Sequence, residues 1–168
     1  VKLPYHVMAT LEVQARDAAA VYVDVPGKLE AVFVKPGDRV TKGQELARLG
    51  SIDLEMAVAR YTADKNKYEV ALKSLMWRRY DDPRAADEIP GVEKALEGVK
   101  NSLKEKQRDQ EKLILRAPAD GTVLPPPWTP PRNDPEGPLP SWSGTPLVPE
   151  NLGAHLDRDV LFCQIGNP

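Results

Sequence analysis

The chain is short of the residues that carry most catalysis and most cross-linking. Its single cysteine, Cys163, excludes an intrachain disulfide and a cysteine-built zinc site, and its apolar setting marks it as a small core residue. There are two histidines, His6 and His155, and neither stands in a motif that would supply the base of a hydrolytic triad. No run approaches the roughly 18 to 20 apolar residues needed to cross a bilayer, and no signal peptide is visible. Because the sequence begins at Val1 and stops at Asn167-Pro168, it is read as a fragment whose targeting and membrane segments lie outside it. No charge sign dominates either. With 23 Lys and Arg against 25 Asp and Glu, interleaved along the chain, there is no basic stripe for nucleic acid. The 168 residues, 41% hydrophobic and 29% charged, leave room for one core with an appendage or for two small modules.

What the chain does have is an internal repeat. The stretch from Gly37 to Gly50 aligns without a gap to the stretch from Gly153 to Gly166, which matches Val40 with Leu156, Leu46 with Phe162 and Leu49 with Ile165. Cys163 takes the place of Ala47, His155 that of Arg39. An earlier pair matches Gly27-Lys28-Leu29 with Gly121-Thr122-Val123, each a glycine opening a short apolar strand. A long helical, charge-rich stretch separates the copies. Two β-rich halves sharing turn chemistry are expected to close on each other as a pseudo-twofold sandwich, with the insertion leaving and returning at one edge.

Residues 1–15 alternate, with Val1, Leu3, Tyr5 and Val7 on one face and Lys2, His6, Thr10 and Glu12 on the other, as a half-buried strand does; Pro4 points to an edge. A strand this long calls for partners in a second β domain. From residue 21 to 50 the pattern is of short strands and tight turns. Pro36 and Gly37 occupy the two central positions of a type II turn, and Gly43 marks another. Ser51 can cap a helix, after which Leu54, Val58, Tyr61, Lys65, Tyr68, Leu72 and Leu75 step by four and three, a heptad seam. Asp81-Asp82-Pro83 is expected to end that helix, and a polar turn to run to Pro90-Gly91. Val92, Leu96, Val99, Leu103, Lys106, Gln110 and Leu113 repeat the spacing, so a second helix can lie antiparallel to the first. The arms, about 28 and about 22 residues, would reach roughly 40 and 33 Å. Polar seam positions near the β end of the second arm imply looser packing there.

Two further segments stand out. Residues 125–149 hold ten prolines with Trp128 and Trp142 among them, so regular structure is not expected there. The preferred reading is a surface loop laying both tryptophans over the sandwich edge, and the alternative is a recognition loop. At the far end of the arm, Trp77, Arg78, Arg79, Tyr80, Asp82 and Arg84 form an aromatic and charged cluster suited to anchoring a partner. The competing reading has Trp77 and Tyr80 covering the seam while the arginines pair with Asp81, Asp82, Asp87 and Glu88.

The motifs Lys-Pro-Gly-Asp-x-Val-x-Lys-Gly-Gln-x-Leu and Leu-x-Ala-Pro-Ala-Asp-Gly-Thr-Val flank a coiled-coil hairpin. Carried by Pro26, Gly27, Pro36, Gly37, Val40, Gly43, Gln44 and Leu46, then Leu115, Ala117, Pro118, Asp120 and Gly121, they make residues 20–124 resemble the haemolysin D (HlyD) type of membrane fusion protein, the periplasmic adaptors. The resemblance implies an α+β fold: a split lipoyl-like (biotinyl-like) β-sandwich from residues 17–50 and 114–168, with the proline-rich loop 125–149 inserted. Residues 51–113 are an antiparallel α-helical coiled-coil hairpin, and residues 1–16 a strand of an adjoining, incomplete β-barrel. Gly27, Pro36, Gly37, Gly43, Gly121 and Gly153 are then the structural turns of the two halves.

The resemblance also implies a non-catalytic adaptor on the periplasmic side of the cell envelope, anchored in the inner membrane through segments outside the fragment. It would join an inner-membrane transporter to an outer-membrane channel for efflux or secretion and self-associate as a trimer or hexamer, with no cofactor, no metal and no nucleic acid. One departure bears on the channel. Such adaptors show an Arg, a Leu seven positions on and a Ser four beyond, whereas from Arg78, Arg79 or Arg84 this chain has Ala85, Ala86 or Gly91 at the Leu position. The alternative is a scaffold or regulatory module attached to a membrane-embedded enzyme. A lipoyl or biotinyl carrier is disfavoured because its swinging lysine needs a β-turn where this chain reads Ile52-Asp53-Leu54-Glu55-Met56-Ala57; Lys28 and Lys42 are better read as solvated. His6 with Met8, or His155 with Cys163, are too scattered for a copper or silver site.

Overall fold

The computed structural model describes residues 18–130 and 142–166, so the alternating strand read over residues 1–16 and the centre of the proline-rich loop lie outside the described residues. Eight strands and two long helices follow in order: β1 Ala19–Tyr22, β2 Gly27–Val32, β3 Arg39–Val40, β4 Glu45–Gly50, α1 Ile52–Arg78, α2 Pro83–Glu111, β5 Ile114–Arg116, β6 Gly121–Leu124, β7 His155–Leu156 and β8 Leu161–Gly166. The strands make two four-stranded sheets, ordered β1-β8-β6-β3 and β5-β4-β2-β7, with every pairing antiparallel. The repeat maps β1 to β4 onto β5 to β8, and under that mapping one sheet becomes the other. Each sheet therefore has a central pair from one half and edge strands from the other.

The symmetry extends to single hydrogen bonds. The Gly37 amide donates to the Val123 carbonyl and the Gly153 amide to that of Leu29, both at 2.8 Å. The Gly43 amide donates to Ala117 O and that of Asp159 to Val23 O, again both at 2.8 Å. Asp159 is the repeat partner of Gly43, and it is the one non-glycine residue with positive φ (64°) among the described residues, against 84° for Gly43. The turn needs that backbone geometry, and Asp tolerates it better than most side chains.

Packing follows the same plan. Along β2, Leu29 is buried between exposed Lys28 and Glu30, the two-residue period of a strand with one inward face. In β4 and β8 two successive residues are buried, Leu46-Ala47 and Phe162-Cys163. The pairing registers explain it: β5 partners skip Leu46, and β1 partners skip Phe162, so a bulge in each long strand turns the extra side chain inward. Leu46, Phe162, Leu29, Leu156 and Val123 are fully buried in a core shared by both halves.

The first glycine of each half opens the short apolar strand that the repeat placed there, and is the first residue of that strand, not part of a turn. A side chain at Gly27 would stand 2.9 Å from Gly50 O, and one at Gly121 would stand 2.9 Å from Gly166 O and 2.8 Å from Ile165 Cγ2. These glycines permit close backbone approach, while Gly37, Gly43 and Gly153, like Gly144 in the loop, have positive φ. Gly37 follows Pro36 in a turn closed by the Asp38 amide on Lys35 O at 3.1 Å.

The hairpin departs from expectation at its far end. No polar turn runs to Pro90-Gly91: α2 starts at Pro83 and continues through Pro90. Asp82 caps it, its Oδ1 accepting from the Arg84 amide at 3.0 Å, and Pro83 sits at the first helical position, where a missing N–H costs nothing. Pro90 forfeits one helical hydrogen bond, a cost of about 3 kcal/mol in a helix interior. Ala85, buried, and Ile89, half-buried, extend the four-and-three seam back across that proline and offset the loss. At the other end Leu54 and Leu113 belong to the sandwich core, so the hairpin is rooted in it. Ser51 caps α1, its hydroxyl accepting from the Leu54 amide. Lys106 is half-buried and held by Asp109 at 3.4 Å, and Gln110 is exposed, in keeping with a polar seam near the base.

The loop between β6 and β7 is closed by a reciprocal Thr129–Gly144 pair at 2.8 and 2.7 Å. Buried Asn151 donates from Nδ2 to Ser143 O at 2.7 Å and Thr145 O at 2.8 Å. Trp142 packs against the core as expected, whereas Trp128 stands exposed. A test of the paired halves is Gly27→Ala and Gly121→Ala, each of which should lower stability by about 1 to 3 kcal/mol through overpacking. Gly98→Ala, on an open face of α2 with nothing near the added methyl, should raise it by about 0.8 to 1 kcal/mol. Chemical denaturation of the three variants measures both signs.

Candidate functional site

The free end of the hairpin gathers the cluster singled out in the sequence. Helix α1 ends at Arg78, and Arg79 closes it by donating its amide to Leu75 O at 2.9 Å. The amides of Asp81 and Asp82 both reach Arg78 O, at 3.0 and 2.9 Å, which folds the link back so tightly that α2 begins at once. Leu75 and Ala85, one on either side of the bend, are the buried residues here. The seam is thus sealed without the aromatic rings.

Trp77 and Tyr80 are accordingly 70% and 75% exposed, and Met76 beside them is exposed too. The reading in which both aromatics cover the seam does not describe this arrangement. Of the acidic residues expected to hold the arginines, Asp82 comes within reach, 3.7 Å from Arg78, while Asp81, Asp87 and Glu88 pair with no arginine among the described residues. Arg79 instead turns to Tyr80. Its guanidinium lies 5.2 Å from the ring centroid, and Nη2 donates to the phenol oxygen at 3.4 Å. That hydrogen bond, helped by the positive charge, holds the Tyr80 phenol below its ordinary value. Arg84 lies at the start of α2, its amide held by Asp82.

The result is a solvent-facing patch with a large indole, a phenol backed by a guanidinium, and Asp82 occupied with capping a helix. Trp, Tyr and Arg combine wide contact area with directed donors, the combination enriched at the centres of protein interfaces. Chemically the patch is suited to binding. The residues missed from sequence here are Ala85 and Ile89, although their spacing from Val92 continues the heptad and was there to be read.

The other candidates are dispersed. His155 lies on β7 with Nε2 3.6 Å from Asp157 Oδ1, while Cys163 is buried in β8, its thiol pushed up to about 12 by desolvation. Among the described residues no cluster of three or more His, Cys, Asp or Glu could hold a metal ion, and no helix is long and apolar enough to cross a membrane. His6 and Met8 lie outside the described residues. Where a carrier lysine would project, the chain passes from Gly50 straight into α1 and returns at Leu113, whose carbonyl accepts from the Leu49 amide at 2.8 Å. Lys28 is exposed on β2, and Lys42 is exposed in the β3–β4 turn, its amide on Asp120 Oδ1 at 2.6 Å.

The family of CzcB-like barrel-sandwich hybrid domains matches residues 17–129. Among solved structures the chain is similar to a candidate efflux transporter from Bacteroides eggerthii DSM 20697, with a TM-score of 0.65 at 14% identity over 92% of this chain and 40% of that one. It is similar to the membrane fusion protein Spr0693 from Streptococcus pneumoniae R6, with a TM-score of 0.62 at 16% identity over 92% of this chain and 61% of that one. ZneB from Cupriavidus metallidurans gives 0.52 at 13% identity, covering 92% of this chain and 63% of that one. The chain thus spans less than two thirds of the length of these relatives. No curated protein matches its sequence.

The Tyr80 phenol gives a direct test of the tip geometry. Replacing Arg79 with Gln should raise its titration midpoint toward the ordinary value of about 10. Difference absorbance of tyrosinate formation, wild type against variant, reads the shift; an unmoved midpoint would mean that the Arg79 contact is not made.

Proposed function

Since the chain belongs to the CzcB-like barrel-sandwich hybrid family, we propose that it is part of a non-catalytic periplasmic adaptor, a membrane fusion protein. In this reading it links an inner-membrane transporter to an outer-membrane channel for efflux or secretion. Residues 1–16 then contribute a strand to an adjoining β-barrel, and segments outside the chain anchor it at the periplasmic face of the inner membrane. The observation that carries the reading is where the hairpin is attached. It leaves and returns between Leu49 and Leu113, and the pseudo-twofold carries that pair onto Ile165 and Ala19, which also face each other at the edge of a sheet. The β-body thus offers two equivalent exits, one taken by the hairpin and the other by the two ends of the described chain, which suits a connector.

Length and exposure support the same role. Arms of 27 and 29 residues span about 40 Å at 1.5 Å per residue, far more than a sandwich of this size needs for its own stability. They end in an uncovered Trp, Tyr and Arg patch, a surface for holding another protein. Arg79→Ala would strip the phenol of its donor as well as the patch of a cation.

A photocrosslinking residue at Arg84 in intact cells, followed by identification of the captured protein, tests the proposal. Capture of a transporter or an outer-membrane channel is expected; capture of a membrane-embedded enzyme would replace the adaptor reading with that of a regulatory scaffold. Trp77→Ala with Tyr80→Ala should reduce capture at least about tenfold, the effect of losing roughly 1.4 kcal/mol. The melting temperature should hold within about 2 °C, since both rings are exposed. A large fall in melting temperature with capture intact would assign them to packing.

A further inference from the structure

Two loops cross from one sheet to the other, the first from β2 to β3 and the second from β6 to β7. Carried back from Gly37 and Gly153, the repeat sets Val32 against Val148 and Pro36 against Leu152. Between these two stretches lies a cavity of about 260 Å³ that opens to solvent. Val32, Val34 and Pro36 line one wall, and Leu147, Val148 and Leu152 the other. Its origin is in the sheet. β7 pairs with β2 at Gly27 and Lys28, so from Ala31 on the outer edge of β2 has no strand beside it among the described residues. The second loop runs there instead, in a short 3-10 turn over Pro149–Asn151. Phe33, the largest side chain of the first stretch, stands 51% exposed with the Arg48 guanidinium 5.7 Å from its ring centroid. Alternation along an extended chain thus turns Val32 and Val34 to the cavity and the ring away from it.

Size and lining say what fits. Val34 and Leu147 are 3% and 4% exposed and belong to the core, whereas Leu152, at 48%, stands at the rim. Every lining residue except Lys35 is apolar. Water in such a place has few partners, so an apolar body that displaces it gains affinity. An apolar cavity of about 150 Å³ holds the six carbons of benzene, and by that measure this one takes a body of about ten non-hydrogen atoms. The paired acyl chains of a bilayer lipid are too large for it. A protein partner needs about 20 to 30 residues on each side of a stable interface, against the eight that line this cavity. The occupant is therefore a small molecule.

Charge selects its head group. Lys35 is exposed, and its ammonium makes no ion pair among the described residues. The nearby carboxylate of Asp38 is taken up in the turn, its Oδ2 accepting from the Lys35 amide at 2.8 Å. No lining residue is acidic. One cation beside an apolar hollow, with no anion to oppose it, suits a ligand that carries a single acidic group on an apolar body. A carboxylate then accepts a charge-assisted hydrogen bond from the ammonium, which a neutral head group of the same size cannot match.

We propose that this cavity binds a small amphipathic anion, with the apolar body between the two loops and a single carboxylate at Lys35. The cavity shares no residue with the tip cluster, so this proposal and the adaptor reading fail independently. Calorimetric titration of the complete chain with octanoate should show saturable one-to-one binding. Affinity should rise about fourfold for each methylene added from pentanoate to octanoate, the effect of burying one such group. Lys35→Gln should weaken octanoate about fivefold and leave the neutral 1-octanol unchanged, while Lys35→Arg should bind octanoate as the wild type does. Leu152→Glu, which sets a carboxylate at the rim, should weaken octanoate at least about tenfold. Its melting temperature should hold within about 2 °C, because Leu152 is half exposed. No saturable binding, equal affinity along the series, or octanoate binding indifferent to both Lys35→Gln and Leu152→Glu would each overturn the proposal. So would binding that emerges only after residues 131–141 are replaced by a Gly-Ser link, which would give the cavity to that segment. Binding to phosphatidylcholine–phosphatidylglycerol vesicles but not to octanoate would also overturn it, in favour of a lipid surface. Should Leu152→Glu lose stability, the Lys35 variants decide alone.

Discussion

Neither half of the β-body owns a sheet. The central pair β2 and β4 is hydrogen-bonded on its flanks by β7 and β5, and the central pair β6 and β8 by β3 and β1. A half on its own would be a two-stranded ribbon with two loose strands and an uncovered apolar face, and such ribbons are marginal in water. All else rests on that mutual clasp. It brings Leu46 and Phe162 together in one core, places Gly27 against Gly50 and Gly121 against Gly166, and sets the two ends of the long insertion side by side at Leu49 and Leu113.

The clasp also separates stability from contact with other molecules. Core residues come from strands far apart in sequence, while the hairpin depends on a narrow seam of its own and enters the core only through Leu54 and Leu113. Of its tip, Leu75 and Ala85 hold the bend, and the aromatic and basic residues are left for solvent or a partner. Surface ion pairs such as Lys100 with Glu69 at 3.3 Å join the two arms, each adding little on its own. An arm built this way can change its outer faces freely, since the residues there do not decide whether the fold forms.

Where sequence and structure part company, the physical causes differ. The polar turn expected up to Pro90-Gly91 rested on the rule that proline ends helices, a local rule that lost to the tertiary contacts of Ala85 and Ile89 and to the Asp82 cap. Gly27 and Gly121 looked like turn glycines because glycine so often is one; their need is for space against a neighbouring backbone, which no single segment reveals. Trp128 and Trp142 stand in the same proline-rich segment, yet Trp142 packs against the core and Trp128 faces solvent, a difference set by contacts with residues distant in the chain.

The sequence by itself determined the repeat, the class of each long element and the identity of the tip cluster. These are carried by period and spacing: two residues for strands, three and a half for the hairpin, and a constant offset between glycines such as Gly37 and Gly153. It also held the glycines and the Asp that meet the positive-φ turns, because backbone geometry there restricts residue type directly. Only the tertiary structure decided which strand of one half pairs with which of the other, how the bulges turn Leu46 and Phe162 inward, and whether Trp77 and Tyr80 are covered. Those outcomes depend on contacts between residues far apart in the chain, which local pattern does not encode.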